Sequence, residues 1–134
     1  SGSNQPDYYL YNQGREGVSP WENPELYHFE SALTHVPEVT APFLIFHGTA
    51  DTTVAFNNGM ALYNAMRFNN KNAILLAYPN EGHSIRGLAN RKDLTIRFFQ
   101  FFNHYLKGGP APKWMTEGVP FLVKDANRDS PIIK

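Results

Sequence analysis

The sequence contains no cysteine. That absence excludes disulfides, thiolate metal sites and a cysteine nucleophile together. It leaves the compartment open, because many exported proteins of ordinary size also lack disulfides. Charge of one sign is missing too: twelve basic residues face twelve acidic ones, for a formal net charge of +0. Such a balance offers no electrostatic footprint to nucleic acid and no polybasic patch to a membrane surface. Long hydrophobic runs are absent as well. The longest, Phe43–Phe46 and Ala73–Ala77, fall far short of the roughly 20 residues a membrane span needs. No signal peptide opens the chain, and Ser1-Gly2-Ser3 has the character of a cloning remnant without fold information.

What is present is one domain's worth of globular composition. The chain has 134 residues, 42% of them hydrophobic and 18% charged, which separates it from disordered sequences. Residues 4–40 show no sustained period. Prolines 6, 20, 24 and 37 and glycines 14 and 17 break this stretch into turns and short helical pieces. It is rich in aromatics, among them Tyr8, Tyr9, Tyr11, Trp21, Tyr27 and Phe29, so it is expected to pack against something.

The middle of the chain is more regular. Phe43-Leu44-Ile45-Phe46 is an unbroken apolar run ending in His47-Gly48, and Ala73–Tyr78 is a second one closed by Pro79. Runs without polar alternation predict strands buried on both faces, as in a parallel sheet covered by helices. Between them, residues 57–68 place Met60, Leu62, Tyr63 and Met66 at helical spacing, with Asn69-Asn70 as the stop. Residues 88–106 form the longest predicted helix, with Leu94, Phe98, Phe101, Phe102 and Tyr105 on one stripe and Gly108-Gly109-Pro110 as its end. The order is β-α-β-α, with irregular flanks and no internal repeat. The last segment, 111–134, keeps apolar anchors at Trp114, Met115, Val119 and Phe121 before turning polar and frayed.

Two polar motifs follow the two strands: His47-Gly48-Thr49-Ala50-Asp51 and Glu81-Gly82-His83-Ser84. In open α/β sheets ligands bind beyond the carboxyl ends of the strands, and neighbouring strands lie about 5 Å apart. Asp51 and His83 are therefore within reach of a hydrogen bond. Such a pair suits nucleophilic catalysis, since a weak hydroxyl nucleophile needs a nearby base and the base needs its tautomer fixed. Histidine titrates near working pH, and Gly82 permits a tight or left-handed turn before the ring. Taken singly, Asp51 reads as a turn or helix-cap residue and His83 as a loop histidine. Their placement at matching strand ends favours a functional pair.

The bland readings hold elsewhere. His47 is expected to be structural, bonded to backbone or packed under its loop. His28, His35 and His104 lack metal-ligand spacing. Ser84 has no nucleophile elbow around it, Phe98–Phe102 reads as core, and Arg91, Lys92 and Arg97 read as a solvated helix face.

The wording LIFHGTAD-x-x-V at Leu44–Val54 and YPNEGHS at Tyr78–Ser84 resembles the prolyl oligopeptidase and dipeptidyl-peptidase family of serine peptidases. Gln13-Gly14-Arg15, Ser19-Pro20-Trp21-Glu22 and the stretch Gly108–Pro120 are similar to segments of bacterial members, so the resemblance runs from about residue 8 to 124. It implies an α/β-hydrolase fold, with the triad in the chain order Ser, Asp or Glu, His. Asp51 matches the triad acid and His83 the triad base.

No Gly-x-Ser-x-Gly occurs anywhere in the sequence. The 134 residues are accordingly expected to be the C-terminal part of a catalytic domain, a partial α/β-hydrolase. Its serine and the family's propeller would lie upstream, and the isolated piece would be inactive. The resemblance implies a peptide substrate and no metal or organic cofactor. Alternatives are an esterase or acylaminoacyl-type hydrolase with the same triad, or a non-catalytic binding module derived from a truncated hydrolase. A sheet of two strands is marginal alone, so the piece is expected to self-associate through its unpaired edge and apolar helix face.

Overall fold

Branched and aromatic side chains crowd both apolar runs, and both become strands. A computed structural model describes residues 6–12 and 14–119 of the chain. The opening tripeptide, Gln13 and the Phe121 anchor lie outside the described residues. The irregular first part contains two short helices, α1 (Pro6–Tyr11) and α2 (Pro24–Glu30), then a 3₁₀ turn at Val36–Glu38. Helix α2 starts where Asn23 Oδ1 accepts from Leu26 N–H at 3.1 Å, with Pro24 at its first position. Strand β1 (Phe43–Gly48), helix α3 (Phe56–Phe68), strand β2 (Ala73–Tyr78) and helix α4 (Leu88–Lys107) follow, and a single turn of helix, α5 (Lys113–Thr116), closes the described chain.

The strands pair in parallel, from Phe43 opposite Ala73 to Gly48 opposite Tyr78. Side chains alternate between the faces of a strand, and the two long helices take one face each. On one face His47 meets Gly59 and Phe56 of α3. On the other, Phe46 stacks edge-on to Phe98 of α4 at 5.4 Å. Val36, Met66 and Ala73 are buried together, with Leu62, Tyr63, Ala65 and Val39 around them. That cluster is where the irregular first part earns its place in the fold.

Three expectations need correcting. The strands are not sealed on both faces: Phe43 and Phe46 remain exposed, because β1 has no second neighbour among the described residues. The aromatic stripe of α4 is only half a core, with Phe101 buried while Phe99 is 73% exposed and Leu106 also faces outward. The aromatics of the first part do not all find cover either, for Tyr11, Trp21 and Phe29 are exposed.

Both stops read from the sequence are present. Asn70 adopts φ 53° after α3, and Gly108 adopts φ 69° after α4, its N–H bonding to Asn103 O. Arg97, expected on a solvated face, is instead 12% exposed. Its Nε donates to Asp93 Oδ2 at 2.7 Å and its guanidinium lies 4.9 Å from the Trp114 ring centre, so α5 folds back over it. No helix among the described residues is long and apolar enough to cross a membrane.

Candidate active site

Both strands end at the same level, and the loops that leave them meet. Gly48 stands where they approach most closely: a Cβ there would collide with the carbonyl oxygens of Glu81 and Gly82. Three bonds then join the loops. Thr49 N–H donates to Tyr78 O at 3.0 Å, Ala50 N–H donates to Glu81 O at 2.9 Å, and Asn80 N–H donates to Thr49 Oγ1 at 3.0 Å. The left-handed residue of the second loop is Asn80, at φ 59°, and not Gly82 as the sequence suggested. Asparagine tolerates that region by virtue of its short polar side chain. A Cβ on Gly82 would meet nothing within 4 Å.

The geometry brings Asp51 and His83 together, with His83 Nδ1 lying 2.9 Å from Asp51 Oδ2. The other carboxylate oxygen, Oδ1, accepts from Thr53 N–H at 2.8 Å and Val54 N–H at 2.9 Å. Asp51 is thus a turn residue through one oxygen and a hydrogen-bond partner of His83 through the other. It does not cap α3, whose N-cap is Ala55.

Burial pushes the Asp51 carboxyl upward, but the bonds from Val54 N–H, His83 and Thr53 N–H outweigh it and hold the group below its ordinary value. The carboxylate is therefore ionised at neutral pH and can only accept. His83 Nδ1 must carry the proton, which leaves Nε2 as the nitrogen available to a hydroxyl. Exposure divides the pair in the same sense: the Asp51 side chain is 4% exposed and the His83 side chain 57%.

His47 is the third member of the cluster. Its Nε2 lies 2.8 Å from Val54 O and 3.3 Å from Asp51 Oδ2, both acceptors, so Nε2–H is shared between them. The bond to backbone was expected and the approach to Asp51 was not. Asp93 is turned away, engaged by the Tyr78 phenol and Arg97. Ser84 is exposed. His35 and His104 bond to backbone carbonyls at Phe29 and Gly109. Among the described residues no three His, Asp or Glu side chains gather as a metal site requires.

One residue of the site gave no signal of its own in the sequence. Glu81 is 8% exposed, and its carboxylate faces the start of α4. An acid at the tip of a strand, followed within ten residues by unpaired helix N–H groups and an asparagine, is the pattern that would have pointed to it.

The sequence profile of the prolyl oligopeptidase family matches residues 3–109. The acylamino-acid-releasing enzyme of Rattus norvegicus is 31% identical over 64 residues, which is 48% of this chain and 9% of that enzyme. The Homo sapiens enzyme of the same name is 34% identical over 56 residues, 42% of this chain and 8% of the enzyme. The chain thus spans about a tenth of the length of these relatives. Among solved structures, dipeptidyl peptidase 4 of Porphyromonas gingivalis superposes with a TM-score of 0.59 at 31% identity, over 62% of this chain and 12% of that one. Thermogutta terrifontis esterase 2 phosphorylated by paraoxon superposes with a TM-score of 0.51 at 29% identity, over 62% of this chain and 33% of the esterase.

Proposed function

Because the chain belongs to the prolyl oligopeptidase family, we propose that it supplies the acid and base of a serine peptidase triad, Asp51 and His83, to a serine outside these 134 residues. The observation that carries this reading is the division of labour in the pair: a buried, ionised Asp51 bonded at 2.9 Å to the Nδ1 of an exposed His83. The fold neighbours, a dipeptidyl peptidase and an esterase, support the same class of chemistry.

In this mechanism the serine hydroxyl attacks the scissile carbonyl while His83 Nε2 takes its proton. The tetrahedral intermediate then expels the amine, which receives that proton from His83, leaving an acyl-enzyme. Water repeats the sequence in reverse order and releases the acid. Asp51 stays ionised throughout, holding the ring and stabilising the imidazolium. The substrate class is a short peptide cleaved near its N-terminus, after proline or a small residue. A second reading, removal of an acylated first residue, is favoured by the names of the curated relatives.

The test is kinetic and uses the complete enzyme that carries this chain. His83→Ala should lower kcat by about 10³-fold or more, Asp51→Ala should also remove most of it, and the double variant should be little worse than His83→Ala. An Asp51→Ala enzyme within about threefold of wild type would remove Asp51 from the triad. A panel of Xaa-Pro and acyl-aminoacyl substrates separates the two readings of specificity.

A further inference from the structure

His83 has one side-chain bond among the described residues, to Asp51, and follows Gly82, where an added Cβ would meet open space. A ring so placed needs its backbone held by something else. That something is a buried carboxylate two residues away. Glu81 Oε2 accepts from Arg86 N–H at 2.7 Å. Its Oε1 accepts from Gly87 N–H at 3.0 Å and from Asn90 Nδ2 at 2.6 Å. All three donors lie beyond His83 in the chain, and Gly87 is the N-cap of α4. The main chain of the same residue reaches the other way, its carbonyl accepting from Ala50 N–H, next to Asp51. Glu81 is thus bonded both to the loop that carries Asp51 and to the start of α4.

We propose that Glu81 is a positioning residue for His83, closing the 81–87 loop on the start of α4 so that the imidazole is presented to Asp51 through Nδ1. The proposal rests on the Asp51–His83 reading above. The charge of the carboxylate suits the place, since the first turn of a helix presents unpaired N–H groups and favours an anion. The bonds from Asn90 and Arg86 N–H hold the Glu81 carboxyl below its ordinary value despite burial. The hydrogen-bond partners of the carboxylate are Arg86, Gly87 and Asn90, not Asp51 or His83, so it acts through the loop.

Which feature of Glu81 matters can be separated by substitution. Glu81→Ala removes every acceptor. Glu81→Gln keeps an oxygen at the Oε2 place, which accepts from Arg86 N–H at 2.7 Å and lies 3.3 Å from Gly87 N. Its amide can donate to Asn90 once the Asn90 side chain turns over, a change that costs little because both ends of an amide have similar shape. A grip made of hydrogen bonds should therefore survive in Gln and fail in Ala.

The experiment measures the tautomer of His83 by ¹⁵N chemical shifts in the full 134-residue chain, at a pH where the ring is neutral. Wild type and Glu81→Gln should show the Nδ1–H form, and Glu81→Ala should fall back to a mixture dominated by Nε2–H while the Met66 and Ala73 signals of the core stay in place. In the complete enzyme, Glu81→Ala should lower kcat by about 10- to 100-fold with little change in KM, as misplacement of a catalytic group does. If Glu81→Ala keeps the Nδ1–H form, the proposal is overturned. Should Glu81→Ala fail to fold, Asn90→Ala carries the test with a smaller shift in the same direction, and no shift there overturns the proposal. Failure of the underlying pair looks different: wild-type His83 would show no Nδ1–H preference, or Asp51→Ala would not change it, and the proposal would fall with the pair.

Discussion

The phenol of Tyr78, the last residue of β2, donates to Asp93 Oδ2 at 2.9 Å, and the same oxygen accepts from Arg97 Nε at 2.7 Å. Burial pushes the Tyr78 hydroxyl well above its ordinary pKa, and the Asp93 charge adds to this, so the group remains a donor at any working pH. The end of the strand is thereby fastened to the second turn of α4, directly behind the loop that carries His83. Tyr78→Phe should cost about 1.5–3 kcal/mol, the worth of a hydrogen bond to a charged group. Urea unfolding checks it. The complete enzyme carrying Asp93→Asn should keep kcat within about threefold of wild type, since Asp93 is committed to this brace and not to His83.

Gly48 and Gly82 flank the same crossing and should respond oppositely to alanine. At Gly48 the new methyl would meet two carbonyl oxygens, and overpacking of that kind costs about 1–3 kcal/mol. At Gly82 the space is open and φ is not positive, so Gly82→Ala should change stability by less than about 0.5 kcal/mol. Denaturation midpoints of the two variants decide the matter, and equal losses would contradict it.

Acid should loosen this corner of the molecule. Asp51 and Glu81 are both held below their ordinary values in the folded chain. The unfolded chain therefore takes up their protons first as pH falls. The stability they contribute is complete above the ordinary carboxylate range, about pH 4 to 4.5, and is lost as pH drops through the lower folded values. Asp51→Asn and Glu81→Gln should each flatten the fall in stability between about pH 4.5 and 2. An unchanged slope in both variants would show that neither group is depressed.

The chain should associate in solution. Among the described residues β1 has one unpaired edge and its Phe43 and Phe46 are exposed, and α4 presents Phe99, Phe102 and Leu106 on an open apolar face. Exposed edges and apolar patches of this kind are templates for pairing. Sedimentation at micromolar concentration should show species heavier than a monomer, and Phe99→Lys with Leu106→Lys should shift the population toward monomer. A concentration-independent monomer in the unsubstituted chain would refute this.

Much of the architecture was legible because strand and helix patterns are local. Phe43–Phe46 and Ala73–Tyr78 announce themselves by unbroken apolarity, and α4 by its stripe and its Gly108 stop. The Asp51–His83 meeting was legible from topology, since parallel neighbours deliver their loops to one edge. What failed depended on partners the sequence does not mark. Apolarity says that Phe46 and Phe99 want cover, not that cover is present. Arg97 looks solvated until Trp114 is seen to fold over it. The left-handed turn fell to Asn80 because a bond from its N–H to Thr49 Oγ1, 31 positions earlier, fixes the backbone there.

The register of the sheet carries one more implication. Gly48 and Tyr78 stand side by side, and Asp51 lies three residues past the first while His83 lies five past the second. The pair is therefore a matter of counted chain length measured from a common line. A residue of extended chain is about 3.3–3.6 Å, more than the whole length of the bond between the two side chains. Ala50 or Pro79 can be exchanged without altering that count, but a one-residue insertion or deletion in either loop would carry the acid and the ring past each other. The lengths of these two loops should therefore be held more tightly than the identity of residues such as Ala50 and Pro79.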